Sequence, residues 1–203
     1  CRWMPAIYAS RRGGWGWFER SGEHMNHDPV PSAEQTLTQH RAEIDQVRAH
    51  VHASPSADTH FHHGPGHWAR VEAHALLISQ SLGISPLVPV LFAWVHDSQR
   101  MNDDVDPWHG LRAAKFVKEN RAGLFAFLSE GDWMTLQVAC EKHSDGWVSE
   151  DPVLQACWDA DRLDLGRVGI MPSPKYMGSA FAKRPEVIKH AWEQTNPSRS
   201  APA

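Results

Sequence analysis

"PLVPVLFAWVHDSQR", residues 86–100, decides how this chain folds. Every position from Leu87 to Val95 is apolar, so a helix here has no polar face to offer water and must lie inside the protein. Pro86 opens such a helix. Pro89 falls in its first turn, where an amide hydrogen has no intrahelical partner and its loss is tolerated. The apolar run then ends in His96 followed directly by Asp97. A carboxylate at the end of a fully buried helix costs on the order of several kcal/mol unless a cation accompanies it. An arginine from a neighbouring helix would serve, and so would a metal ion.

Outward from this segment the periodicity is helical almost throughout. Ser32, followed by Glu34 and Gln35, reads as a helix start, and Leu37, Ile44, Val47 and Val51 fall at helical spacing up to His52, which predicts one amphipathic helix. In "HWARVEAHALLISQSLG", residues 67–83, Val71, His74, Ala75 and Ile78 share a face and Gly83 marks the stop. Further helices are expected at 107–120, 124–129, 132–142, 151–165 and 185–194, with Gly and Pro between them. No run alternates apolar and polar residues, and no internal repeat is evident. The fold expected is all-α, a single-domain helical bundle over residues 25–196. Residues 1–24 lack either periodicity and lack the apolar centre of a secretory signal. With Met25 as a natural start, they read as a leader outside the domain, or as a tail laying its tryptophans on its surface. Residues 197–203 read as a flexible tail.

Composition narrows the function. The 203 residues are 41% hydrophobic and 22% charged, enough for one domain with a sizeable core. A net charge of -4 lacks the basic footprint of a bulk nucleic-acid binder. The longest apolar run, residues 82–95, contains Gly83, Ser85 and two prolines and falls short of the roughly 20 residues of a membrane span. Cys1, Cys140 and Cys157 are too few and too irregular for a disulfide framework, which fits a reducing cytoplasm. Oligomeric state is not legible.

Three segments carry the chemistry: His67 in "HWARV", His96 and Asp97 in "AWVHDS", and Asp161 in "DADRLD". Imidazole nitrogens and carboxylate oxygens suit divalent first-row metals, and ligands from several packed helices can converge in a bundle core. A histidine, then an adjacent His-Asp pair, then a distant aspartate on an all-α scaffold resembles the HD superfamily of metal-dependent phosphohydrolases, over roughly residues 60–170. The resemblance implies one or two divalent ions (manganese, iron, cobalt, nickel, zinc or magnesium) held by His67, His96, Asp97 and Asp161. It implies hydrolysis of a small phosphomonoester or phosphodiester, including nucleotides, by activated water. Asp159, Asp161 and Asp164 all lie in this segment; by likeness to related "ADRL" segments Asp161 is preferred, and Asp159, the next choice, points about 200° away on a helix. Asp159 then supports the site or pairs with Arg162 or Arg167.

His109 in "DPWHGLRAA" and His143 in "CEKHSDG" match positions where two-metal members carry further ligands. Residence in the pocket, binding phosphate or moving a proton, is preferred for them over direct ligation. Asp97 is expected both to ligate and to accept a hydrogen bond from the attacking water. Lys142, Arg100 or Arg162 would offset phosphate charge, and Asn102 and Asp103 would shape the pocket or close a helix end. His63 is expected at the pocket mouth, His60 and His62 in solvent or as a weak adventitious metal site, His74 as a satisfied core histidine, and Cys140 and Cys157 as inert buried thiols. Trp68, Trp94, Trp108 and Trp147 are candidates for pocket walls, with packing the more frequent task of a tryptophan. Two other readings share the scaffold: a mixed-valent di-iron oxygenase, and a non-catalytic metal- or nucleotide-binding module.

Overall fold

Residues 32–54 and 62–195 are described by a computed structural model, and among them there are eight α-helices and no strand. The expected leader, the first residues of the expected domain, His60 and the expected C-terminal tail lie outside the described residues. The helices are α1 (Ala33–Gln39), α2 (Arg41–His52), α3 (Pro65–Leu82), α4 (Leu87–Val95), α5 (His109–Glu119), α6 (Glu130–Lys142), α7 (Pro152–Leu163) and α8 (Pro185–Thr195). Short 3-10 helices follow α6 (His143–Asp145) and α7 (Asp164–Val168), and a third spans Pro174–Tyr176.

Local chemistry sets most of these boundaries. Ser32 and Gln35 form a reciprocal capping box at α1. Asp151 accepts from the Val153 and Leu154 amides ahead of Pro152, and Gly83 closes α3 in the left-handed region at φ 65°. Two expected elements differ. The single helix over 32–52 bends at His40, where φ is -106° and ψ is 17°. The ladder of hydrogen bonds continues across it, since His40 donates to Thr36 and accepts from Ile44 while its ring turns onto Phe127. The helix expected at 124–129 is a chain of turns, with Phe125 and Ala126 donating to Asn120 and Gly123. Six residues do not repay helix nucleation, and the burial of Phe125 and Leu128 fixes the turns instead.

All nine residues of α4 are buried, as its composition requires. A nine-residue helix has little stability alone. Each large apolar side chain it buries contributes roughly 1.5–3 kcal/mol, against α2, α3, α6 and α7, all of which pack on it. The α5–α6 contact depends on Gly110: a Cβ there would lie 2.5 Å from the Cys140 carbonyl oxygen. That close approach brings His109 at the start of α5 beside His143 at the end of α6. Helix α8 packs on the 3-10 helix Asp164–Val168. Among the described residues no helix is long and apolar enough to cross a membrane.

Candidate metal centre

Helix α4 ends at His96, and the chain turns through Asp97 with Arg100 N–H donating back to the Asp97 carbonyl. Both side chains are buried. His67 from the first turn of α3, Asp161 from the last turn of α7, His109 from the start of α5 and His143 from the end of α6 meet them there, all buried.

The four histidines are oriented alike. His96 Nδ1 faces the Phe92 and Ala93 carbonyls at 3.1 and 3.2 Å, His143 Nδ1 faces the Cys140 carbonyl at 2.7 Å, and His109 Nδ1 contacts the Asp106 carbonyl. A carbonyl only accepts, so these three nitrogens carry the proton. His67 Nδ1 lies 2.7 Å from Asp164 Oδ2, and Asp164 is itself gripped by Arg70 Nε and Nη2 at 2.7 and 3.0 Å. In neutral imidazoles so held, each Nε2 presents a bare lone pair. Those lone pairs converge: His67 and His96 Nε2 are 3.1 Å apart, and His109 and His143 Nε2 are 2.8 Å apart. Each pair needs one positive charge between its nitrogens, which a shared proton or a metal ion can supply.

The carboxylates complete both pairs. Asp97 Oδ2 lies 3.5 and 3.6 Å from the Nε2 atoms of His67 and His96, while its Oδ1 lies 3.4 and 3.7 Å from those of His109 and His143. Asp97 thus spans the two pairs. Asp161 Oδ1 is 3.4 Å from His67 Nε2 and 3.7 Å from His96 Nε2, and it is buried without a hydrogen-bond partner. Ligands each about 2.1 Å from one cation stand roughly 3.0–3.4 Å from each other. The observed spacings are close to this, and the overlapping sets His67–His96–Asp97, His96–His143–Asp161 and Asp97–His109–His143 could each hold a metal ion.

Charge in the cluster is divided in a way that fits this arrangement. Burial works against the charged form throughout. Despite burial and the nearby Arg167, the carboxylates of Asp161, Asp164 and Asp97 raise His67 to about 9. His143 is raised by Asp97 against the same burial. Burial prevails at their partners, lowering His96 and taking His109 down to about 4. Each pair therefore contains one histidine that favours a proton and one that does not. Burial opposes ionisation of Asp97 and Asp161, yet the surrounding histidines hold both well below the usual carboxylate range.

The cluster opens into a cavity of about 390 Å³. His63, Arg100, Arg162 and Arg167 line it beside the metal-ligating candidates, with an apolar wall that includes Leu165, Ile170 and Met171. His63 is placed at the cavity, its Nδ1 2.8 Å from Asp103 Oδ1, and Asp103 also accepts from the His62 and His63 amides. Arg100 reaches Asp97 Oδ1 at 3.4 Å but gives its other donors to the Asn102 and Asp104 carbonyls. Arg162 donates to the carbonyls of Tyr176 and Trp147.

Other expectations are corrected. Lys142 does not line the cavity; its ammonium pairs with Glu141 at 2.7 Å at the surface. Asp159 is away from the histidines and pairs with neither Arg162 nor Arg167, accepting instead from Gln155 Nε2 and the Gly178 and Ser179 amides. None of the four tryptophans lines the cavity. Trp68 and Trp94 are core, the latter bonded to Glu72, while Trp108 and Trp147 are exposed. His74 is in the core, but its Nε2 has no hydrogen-bond partner. Cys140 and Cys157 are, as expected, buried free thiols whose ionisation burial opposes. Asp164 behind His67, Arg70 gripping Asp164, and Arg167 at the cavity were given no such place by the sequence. Asp164 lies three residues after Asp161, and Arg70 three after His67, so helical spacing was the available signal.

Compared with family models, curated proteins and solved structures, the chain gives no match in any of the three.

Proposed function

We propose that the protein is a metal-dependent phosphohydrolase of the HD type. The observation that carries this reading is the convergence of four Nδ1-tethered histidines, through their Nε2 atoms, on the two buried carboxylates Asp97 and Asp161. His67, His96, Asp97 and Asp161 would hold one divalent ion, and Asp97, His109 and His143 a second, contrary to the preference for pocket residence drawn from sequence. A bound divalent ion would lower the pKa of water toward roughly 7 and draw charge from a phosphoryl oxygen.

The residues around that chemistry have separate tasks. Asp164, clamped by Arg70, fixes the ring of His67. Arg100 braces Asp97 and offsets part of its charge. Asp97 can accept a hydrogen bond from the attacking water, and His63, tethered by Asp103 at the cavity, can pass a proton to the departing group. The arginines supply positive charge for a phosphate.

A screen of phosphomonoesters and phosphodiesters with manganese-, zinc- or iron-loaded protein tests the reading. Turnover that releases phosphate or a monoester, and falls at least about a thousandfold in Asp97→Ala, is expected. Turnover unaffected by that substitution would overturn it. The Asp97–His109–His143 set favours one second reading, a di-iron oxygenase, because that chemistry requires both seats. Oxygen consumption by the iron-loaded protein without phosphate release would select it.

A further inference from the structure

Arg167 is the charged group that the metal centre leaves unexplained. Its side chain is only 8% exposed, and its Nε and Nη1 atoms are buried without a hydrogen-bond partner among the described residues. Nη2 stands 3.6 Å from Asp161 Oδ1, an ion-pair distance too long for a hydrogen bond. The other two arginines of the cavity differ, since Arg100 and Arg162 give donors to backbone carbonyls and so hold the loops around the cavity. Arg167 holds no loop. It projects from the 3-10 helix Asp164–Val168, which α8 backs, and it lines the cavity beside Asp161.

A buried guanidinium with unspent donors is costly unless an anion reaches it. Asp161 compensates it only in part, and a cation shared with His67 and His96 would draw that carboxylate away. Because Arg167 lines the cavity, an anion bound there can approach its guanidinium. Ile170, Met171 and Tyr176 line the same cavity, each with about half of its surface exposed to solvent. This arrangement suits a ligand with a terminal oxyanion and an apolar or aromatic body.

We propose that Arg167 seats the terminal phosphate of the substrate next to the metal centre, with the organic part of the ester lying along Ile170, Met171 and Tyr176. The identity of the oxyanion as phosphate rests on the hydrolase reading; the seat itself rests on the unspent donors. Arg167 thereby selects monoesters, whose terminal dianion can use a buried guanidinium, over internal diesters.

The test is calorimetric titration of inorganic phosphate into the full chain loaded with manganese, comparing wild type, Arg167→Met and Arg167→Lys, with metal content of each sample measured by elemental analysis. Loss of charge-assisted hydrogen bonds is expected to weaken phosphate binding about ten- to hundredfold in Arg167→Met, less in Arg167→Lys, with metal content unchanged in both. Phosphate binding of equal strength in Arg167→Met, or no binding by wild type, overturns the proposal. So does joint loss of metal and phosphate, which would make Arg167 a positioning residue for Asp161. Should Arg167→Met fail to fold, Arg167→Lys decides, and undiminished binding there counts against the seat. Arg167-dependent phosphate binding without ester hydrolysis leaves the seat standing and removes the hydrolase reading. Hydrolysis with KM unchanged in Arg167→Met does the reverse.

Discussion

His67 Nδ1 lies 2.7 Å from Asp164 Oδ2, and Arg70 grips both oxygens of Asp164. A carboxylate behind a ligating histidine sets the tautomer and raises the basicity of the other nitrogen. Asp164→Asn keeps the shape and removes the charge, so metal affinity should fall about ten- to hundredfold with helical content unchanged; competition with a chromogenic chelator reads it. His74 offers a separate check. Burial holds it at about 4 in the folded protein against 6.5 in free imidazole. The unfolded chain takes up the proton first, so stability falls as pH drops through 6.5 and levels off below about 4. In His74→Leu the loss of unfolding free energy between pH 7 and pH 4 should be smaller by about 2–3 kcal/mol; equal losses in both proteins would show that His74 does not contribute. At this scale the sequence was informative where chemistry is carried by adjacent residues. The His96–Asp97 pair after an apolar run announced a buried carboxylate, and likeness to "ADRL" segments separated Asp161 from Asp159. The sequence offered Arg167 only as a partner for Asp159; the role proposed for it rests on hydrogen bonds it does not make, which only the folded surroundings reveal.

Helices α5 and α6 meet at Gly110, where a Cβ would press on the Cys140 carbonyl oxygen at 2.5 Å and on His143 Cε1 at 3.3 Å. Gly110→Ala should cost about 1–3 kcal/mol in urea denaturation through overpacking. The same shift should separate His109 from His143, so a wild-type metal stoichiometry of two would fall toward one. A variant with unchanged stability would show that the helices can yield at this point. Element boundaries were legible where caps and prolines set them, as at Ser32, Gly83 and Asp151. They were not legible at His40, where packing bends an otherwise continuous helix, or at 124–129, where two buried side chains fix turns instead.

Taken across the molecule, the histidine–carboxylate cluster draws on α3, α4, α5, α6 and α7, so any ion bound there ties together most of the bundle. Metal at about 100 times its Kd would stabilise the fold by roughly 2.7 kcal/mol. For a domain of this size that corresponds to a rise in Tm of about 5–10 °C, to be lost on chelation and recovered on adding metal back. The all-helical class was legible because no strand periodicity competes with the helical one. The cavity was not, because the segment after α7 that supplies Leu165, Arg167, Ile170 and Met171 has no regular pattern to read.

The most direct measurement is elemental analysis of the purified protein after reconstitution, wild type beside Asp97→Ala and Asp161→Ala. One or two equivalents of divalent metal in wild type are expected. Asp97→Ala should lose all of it, because Asp97 spans both histidine pairs. Asp161→Ala should lose at most the ion shared with His67 and His96. No stoichiometric metal in wild type, or wild-type content in Asp97→Ala, would contradict the assignment of this cluster as a metal centre.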